Sequence, residues 1–231
     1  IAWCGLNHAD FFAAMLAAMR SGAVLVPINW RQKAREIGFI LQDSAARLVI
    51  ADQAFLNTVA GAAPAGVEVM DTAAFAASLD AMGDQADAGI GGDWHAPALL
   101  LYTSGTTGSP KGVQLSEFSI AAGRAMERAT GGFDDWTDHE VLLSPLPLFH
   151  IGGICWALCG LDRGCTVVLT NNPAPPALLD LCLAEHVSRT FMVPQLVRGL
   201  IEEMIARGVR ADHLKGIHYG AAPMDPPLLA R

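Results

Sequence analysis

The 231 residues carry 52% hydrophobic and 16% charged side chains, enough apolar surface for a large buried core and too little polar bias for a disordered or fibrous chain. A formal net charge of −8, with only 15 Lys and Arg in all, excludes a nucleic-acid surface, which needs clustered cations, and points to a small-molecule partner. The five cysteines, Cys4, Cys155, Cys159, Cys165 and Cys182, are odd in number and show no C-x-x-C spacing, so neither a disulfide framework nor a zinc site is expected and the setting is a reducing, cytoplasmic one.

Ile1 to Asp10 has no basic n-region and no initiator Met, so it reads as folded-domain sequence and the chain is expected to begin inside a longer protein. Asp10 caps a predicted helix whose apolar residues Phe11, Phe12, Met15, Leu16 and Met19 recur at helical spacing, ending near Gly22. Ala23 to Ile28 reads as a strand, Ala34 to Asp43 as a helix, and Arg47 to Ala51 and Gly66 to Met70 as further strands. The Gly-, Ala- and Asp-rich stretch Gly83 to Gly92 reads as a loop joining a first αβ block, about 1–92, to a second, about 93–231. Leu115 to Arg128 is predicted helical, Val141 to Ser144 a strand, Ile154 to Leu161 a helix and Val167 to Thr170 a strand. Val141 to Leu161 has no Asp, Glu, Lys or Arg and is long enough to raise a membrane span, but Pro145, Pro147, His150, Gly152 and Gly153 interrupt it and favour a strand, a turn and a buried helix. Pro194 to Arg207, with proline at its start and Leu196, Val197, Leu200, Ile201, Met204 and Ile205 on one face, is the clearest helix, and Gly216 to Tyr219 a last strand. The alternation predicts a layered α/β fold, with no internal repeat.

One segment carries more chemistry than the rest. Tyr102 to Val113 reads Tyr-Thr-Ser-Gly-Thr-Thr-Gly-Ser-Pro-Lys-Gly-Val. Gly105, Gly108 and Gly112 let the backbone approach a ligand with its amides free for phosphate oxygens. Thr103, Ser104, Thr106, Thr107 and Ser109 add hydroxyl donors, and Lys111 a mobile positive charge. A P-loop does not fit, because aligning its lysine on Lys111 puts Pro110 at a required glycine and Gly112 at the required Ser or Thr. All twelve residues instead resemble the phosphate-binding signature of the adenylate-forming superfamily of acyl-CoA synthetases, aryl-CoA ligases, luciferases and peptide-synthetase adenylation domains.

The resemblance extends over nearly the whole chain. Gly22 to Arg31 is similar to an early segment of acyl-CoA synthetases, Pro145 to Gly153 (Pro-Leu-Pro-Leu-Phe-His-Ile-Gly-Gly) to the acyl-pocket segment, and Gly220 to Met224 (Gly-Ala-Ala-Pro-Met) to the adenine-contacting Gly-Gly-Ala-Pro-Leu segment. Ala221 and Met224 depart from that last pattern, both by small or volume-conserving changes. The family's Tyr-Gly-x-Thr-Glu magnesium motif, expected after Met224, its ribose-binding aspartate and its C-terminal domain with the adenylation lysine are not in the sequence, so these 231 residues alone are expected to bind ATP weakly without turnover.

The resemblance implies a fold, the large N-terminal domain of an adenylate-forming enzyme, and a two-step reaction. A carboxylate attacks the α-phosphorus of ATP, expelling pyrophosphate, and the CoA thiol then takes the acyl group. Thr103, Ser104, Gly105, Thr106, Thr107, Gly108 and Lys111 would hold the phosphates, and Gly220, Ala221, Ala222 and Pro223 the adenine. Thr103 or a neighbouring hydroxyl would lend a ligand to Mg2+, and Lys111, expected in a mobile loop, would stabilise the leaving pyrophosphate. His150 would line the carboxylate end of the acyl pocket, walled by Phe149 and Trp156; on its own a lone histidine beside apolar residues is a structural group as readily as a catalyst. Amino-acid-activating relatives place an aspartate near here, and Pro145 to Leu161 has no carboxylate, so an uncharged acid is expected, a fatty acid ahead of an aryl acid. Peripheral contact with a membrane surface stays open. The rival classes are a non-catalytic nucleotide-binding module, which would lack the pocket and adenine segments, and a hydrolase, for which neither a G-x-S-x-G elbow nor a metal-binding His pair is present.

Overall fold

Two parallel sheets organise the chain, one in each of two compact units, Ile1–Gly132 and Phe133–Arg231. The computed structural model describes residues 1–82, 93–103, 110–131 and 133–229.

In the first unit, β1 (Ala2–Cys4), β2 (Val26–Pro27), β3 (Leu48–Ala51) and β4 (Glu68–Asp71) form a parallel sheet in the order β2-β1-β3-β4. Buried on both faces, β1, β2 and β3 read as short apolar runs rather than as alternations, whereas the edge strand β4 is only half-buried and is bounded by Glu68 and Asp71. On one face Ala2, Cys4, Val49 and Ala51 meet Ile37, Ile40 and Leu41 of α2 (Ala34–Asp43) and Val59 of α3 (Leu56–Ala62). The opposite face presents Trp3, whose ring meets Phe11 of α1 (Asp10–Arg20) edge-on at 5.8 Å and Phe75 of α4 (Thr72–Met82) at 6.1 Å. α1 starts one residue earlier than a cap at Asp10 requires: Ala9 is the N-cap, and the Asp10 carboxylate lies 3.2 Å from the His8 ring. α2 has its predicted bounds, with the Lys33 amide donating to Glu36 Oε2 at 2.8 Å as one half of a capping box.

β5 (Pro97–Thr103) and β6 (Lys111–Ser116) make an antiparallel hairpin, and Leu25 bonds to β5 on both sides, its amide to the Ala98 carbonyl and its carbonyl to the Leu100 amide, both at 2.9 Å. The signature hairpin thus belongs to the first unit, whereas a joint near residue 92 would assign it to the second block. The helix predicted from Leu115 begins at Glu117: Leu115 and Ser116 complete β6, and Ser116 Oγ accepts from the Ser119 amide at 3.1 Å to cap α5 (Glu117–Ala129). Pairing with β5 overrides the helical spacing there.

The second unit holds a parallel sheet of order β10-β9-β7-β8, from β7 (Val141–Ser144), β8 (Thr166–Leu169), β9 (Arg189–Met192) and β10 (Gly216–Tyr219). α7 (Pro175–Ala184) and α8 (Pro194–Arg207) bury Leu178, Leu179, Val197 and Leu200 against Leu143 and Met192 on one face. α6 (Ile151–Leu161) covers the other face, where Trp156 packs with Trp136 and Leu142 and donates Nε1–H to the Leu143 carbonyl at 2.9 Å. The apolar run 141–161 is therefore strand, turn and an eleven-residue helix, and among the described residues no helix is long and apolar enough to cross a membrane. α8 has its predicted bounds and ends on Gly208 at φ +61°, a left-handed cap.

Candidate active site

Thr103 closes β5 and Lys111 opens β6, and the two are cross-strand partners, with Thr103 Oγ1 3.5 Å from the Lys111 carbonyl oxygen. Lys111 therefore stands on a strand at the mouth of the loop, with its backbone position set by the hairpin. Its side chain is exposed and, among the described residues, forms no ion pair, which suits a cation offered to phosphate. Ser104, Gly105, Thr106, Thr107 and Gly108 lie outside the described residues.

The hairpin stem is braced from two sides. Tyr102 opposes Gly112, where a Cβ would lie 2.9 Å from Leu100 Cδ1 and 3.3 Å from Tyr102 Cζ, so the ring covers the space that the glycine leaves. The Tyr102 hydroxyl donates to Asp43 Oδ2 at 2.6 Å, tying β5 to the end of α2. Burial first, then the Asp43 bond and charge, push the phenol well above its usual value, so it stays a neutral donor.

In the second unit the two segments singled out by sequence both leave the carboxyl edge of the sheet: Pro145 to Gly153 follows β7, and Gly220 to Met224 follows β10. In open α/β sheets the crevice outside the carboxyl ends is where ligands bind. β9 runs between β7 and β10, and its Phe191 touches both segments. A Cβ on Gly152 would lie 3.4 Å from Phe191 Cε1, and one on Gly220 2.9 Å from Phe191 Cζ. His150 is the N-cap of α6, exposed, its ring 4.5 Å from that of Phe149. Gly153 is required one turn on: a Cβ there would come within 2.6 Å of the Pro147 carbonyl oxygen and 2.8 Å of that of Leu146. Ala222 and Pro223 are exposed at the same edge.

Ala221, also exposed, has φ +65°, in the left-handed region that glycine occupies freely. The departure from the family's second glycine is thus a backbone matter and not the small volume change it resembles in sequence.

Phe191 and His218 were not legible as site residues. β9 contains the charged Arg189 and is too short to display a period, and the register that sets Phe191 beside His218 is a tertiary fact. The His218 ring lies 5.1 Å from Trp156, 5.3 Å from Phe133 and 5.8 Å from Trp136. Burial, and then the Arg189 charge, hold its imidazole below the usual value against the pull of Asp135. Arg189 Nη2 donates to Asp135 Oδ2 at 2.6 Å and its Nε lies 3.4 Å from Glu140 Oε2, while Lys215 Nζ donates to Glu140 Oε1 at 2.8 Å.

Residues 1–231 match the family model for the AMP-binding enzyme. The chain belongs to the AMP-binding enzyme family. It is similar to the fatty acid–[acyl-carrier-protein] ligase ScoC of Streptomyces coeruleorubidus, 34% identical over 99% of this chain and 45% of that protein. A feruloyl-CoA synthase of an Amycolatopsis species is 31% identical over 100% of this chain and 46% of its own length. Among solved AMP-binding structures, the inhibitor-bound N-terminal domain of FACL13 from Mycobacterium tuberculosis superposes with a TM-score of 0.85 at 26% identity, covering 99% of this chain and 58% of that one. A malonyl-CoA ligase with methylmalonyl-CoA and AMP bound gives 0.81 at 28%, covering 98% and 47%. The chain spans about half the length of the curated relatives it matches. Its layered α/β architecture is that of the N-terminal domains of these AMP-binding enzymes.

Proposed function

We propose that this chain is the nucleotide- and acid-binding part of an enzyme that activates a carboxylic acid with ATP to an acyl-adenylate and passes the acyl group to the thiol of CoA. The observation that carries the reading is the meeting of the pocket segment and the adenine segment on Phe191 at one carboxyl edge of a parallel sheet. A module that only held nucleotide would need the second segment and not the first.

In this reading the adenine rests against Gly220, Ala221, Ala222 and Pro223, and the phosphates on the loop from Thr103 to Gly108 with Lys111. The exposed ammonium of Lys111 suits this role, since negative charge grows on pyrophosphate as it leaves. Mg2+, when bound, supplies further charge neutralisation. Thr103 Oγ1 is the described group offered to it, and among the described residues no cluster of His, Cys, Asp or Glu forms a competing metal site. His150 would stand beside the acid carboxylate, and the uncharged surroundings of 145–161 would favour an acid without an ammonium group. A fatty acid fits the naming of ScoC and of MmaC, a fatty acid–[acyl-carrier-protein] ligase of Mycobacterium marinum 34% identical over 65% of this chain, an aryl acid fits the naming of feruloyl-CoA synthase, and the cytoplasm is the compartment in which CoA chemistry and free cysteines agree.

A second acceptor has an observation in its favour: two relatives at 34% identity are named acyl-carrier-protein ligases. The test is acid-dependent exchange of labelled pyrophosphate into ATP by the full-length enzyme, followed by product analysis with CoA and with a carrier-protein thiol. Exchange stimulated by uncharged acids supports the reading, and exchange stimulated more by leucine or phenylalanine than by medium-chain fatty acids overturns the acid assignment.

A further inference from the structure

We infer that Asp43, at the end of α2, is a positioning residue for the phosphate-facing groups, holding Thr103 and Lys111 in place through the hydroxyl of Tyr102. This rests on the proposed acid activation and adds to it a residue that lies far outside the signature in sequence.

The hairpin loses its supports towards the mouth of the loop. Leu25 pairs with β5 only as far as Leu100, whose amide donates to the Leu25 carbonyl at 2.9 Å. From Leu101 to Thr103 the ladder is, among the described residues, two-stranded, and its other strand there consists of Lys111, Gly112 and Val113, all exposed. A two-stranded ribbon is marginal by itself in water. Side chains alternate across a strand, so Leu101 and Thr103 share one face and Leu100 and Tyr102 the other. Leu101 is buried, and Leu100 and Tyr102 pack on the core cluster that includes Ile37, Ile40 and Leu41 of α2. Tyr102 is therefore the anchored residue nearest the mouth. It precedes Thr103 directly, and its cross-strand partner Gly112 adjoins Lys111.

The far end of the Tyr102 ring is held by a charge-assisted bond, the hydroxyl donating to Asp43 Oδ2 at 2.6 Å. Packing does not fill the space beside it: Asp43, Arg47, Leu100 and Gln114 line a cavity of about 460 Å³ on that side of the stem. Nor is Asp43 a residue that helix stability would choose. It is the last residue of α2, whose final turn carries no basic residue, so its carboxylate meets the negative end of the helix dipole, where a cation is favoured. A local rule broken without a gain in stability is the mark of a functional site. Here the gain is an acceptor for Tyr102. The bond is exposed and contributes little to folding, but a misplacement of about 1 Å in a reacting geometry costs on the order of a hundredfold in rate, so its effect falls on chemistry.

The experiment measures labelled-pyrophosphate exchange and the thermal midpoint of the full-length enzyme and its Asp43→Ala, Asp43→Asn, Tyr102→Phe and Asp43→Ala/Tyr102→Phe variants. Asp43→Ala is expected to lower kcat about tenfold at unchanged KM for the acid, while the midpoint holds or rises because an unfavourable charge has left the helix end. Asp43→Asn keeps an acceptor for the hydroxyl and recovers most of the rate. Tyr102→Phe removes one oxygen and leaves the ring packed, so it loses as much as Asp43→Ala, and the double variant loses no more than either. A midpoint that falls while kcat stays at the wild-type value would make the bond structural only and overturn the inference. Losses that multiply in the double variant, or Asp43→Asn as slow as Asp43→Ala, overturn it too. Absence of exchange in the wild type with every acid overturns the activation reading and this inference with it, whereas exchange in the wild type that the variants leave unchanged overturns this inference alone.

Discussion

Phe191 Cζ lies 2.9 Å from where Gly220 would carry a Cβ, closer than carbon atoms tolerate, so the ring occupies the place of a side chain that Gly220 lacks. The same ring touches Gly152 of the pocket segment from the other side. One side chain therefore fixes the spacing of two segments that sequence places about 70 residues apart, a separation that only the parallel packing of β7, β9 and β10 closes. Gly220→Ala should destabilise the protein by about 1–3 kcal/mol through overpacking and raise KM for ATP. Phe191→Leu withdraws the ring, so the double variant should recover part of that loss, with a coupling of at least about 0.5 kcal/mol in a double-mutant cycle by denaturant unfolding. Strict additivity would show that the ring does not set this spacing.

Ala221 should respond in the opposite sense. Its left-handed backbone is strained by about 1–2 kcal/mol for a residue with a Cβ, and glycine relieves that strain while adding roughly 0.4–1 kcal/mol of unfolded-chain entropy. Ala221→Gly should therefore stabilise by about 0.5–1 kcal/mol, read as a rise in the denaturant midpoint at unchanged slope.

For Lys111, the expectation concerns rate. Replacing its ammonium with a methyl removes one charge-assisted contact to the departing pyrophosphate, and Lys111→Ala in the full-length enzyme should lose about tenfold to a hundredfold in adenylation rate. Because the backbone of Lys111 is held by pairing with Thr103, the thermal midpoint should barely move. Wild-type exchange in this variant would remove Lys111 from the site.

Acid should destabilise the second unit in two steps. The folded imidazole of His218 is held below the usual value near 6.5, so its stabilising effect is complete above that pH and is lost as pH falls below it, where the unfolded chain binds the extra proton. Burial would push the Glu140 carboxyl up, but hydrogen bonds from Lys215 and Ser188 and the charges of Arg189 and Lys215 outweigh it and hold the group low. Its contribution is thus present above about 4.5 and lost as pH falls through the lowered folded value. Urea unfolding of His218→Gln followed from pH 7 to 2 should keep the lower step and lose the upper one. A variant that keeps both would assign the upper step elsewhere.

Some of this architecture was written locally. Ala34 to Asp43 and Pro194 to Arg207 have apolar residues at helical spacing with a clear start, and both helices have the expected bounds, as do the strands Val141 to Ser144 and Gly216 to Tyr219. α3, α4 and α7 leave no mark in the sequence, because Leu56–Ala62 spans only seven residues, Thr72–Met82 is rich in alanine and Pro175–Ala184 in leucine and alanine, with too little contrast between a polar and an apolar face. β6 was hidden because Lys111–Ser116 is mostly exposed and becomes a strand through its partner β5.

The sequence by itself determined the family, because the twelve consecutive residues from Tyr102 to Val113 and the segments at 145–153 and 220–224 match the family's patterns residue by residue. The tertiary structure alone decided that Phe191 lies between Gly152 and Gly220, that Ala221 sits in a left-handed turn, and that His218 Nε2, among the described residues, is buried without a hydrogen-bond partner. Each of these depends on strand register and on contacts between residues distant along the chain. A residue's type limits what it can bond to, and the packing of the sheet decides which of those bonds exist.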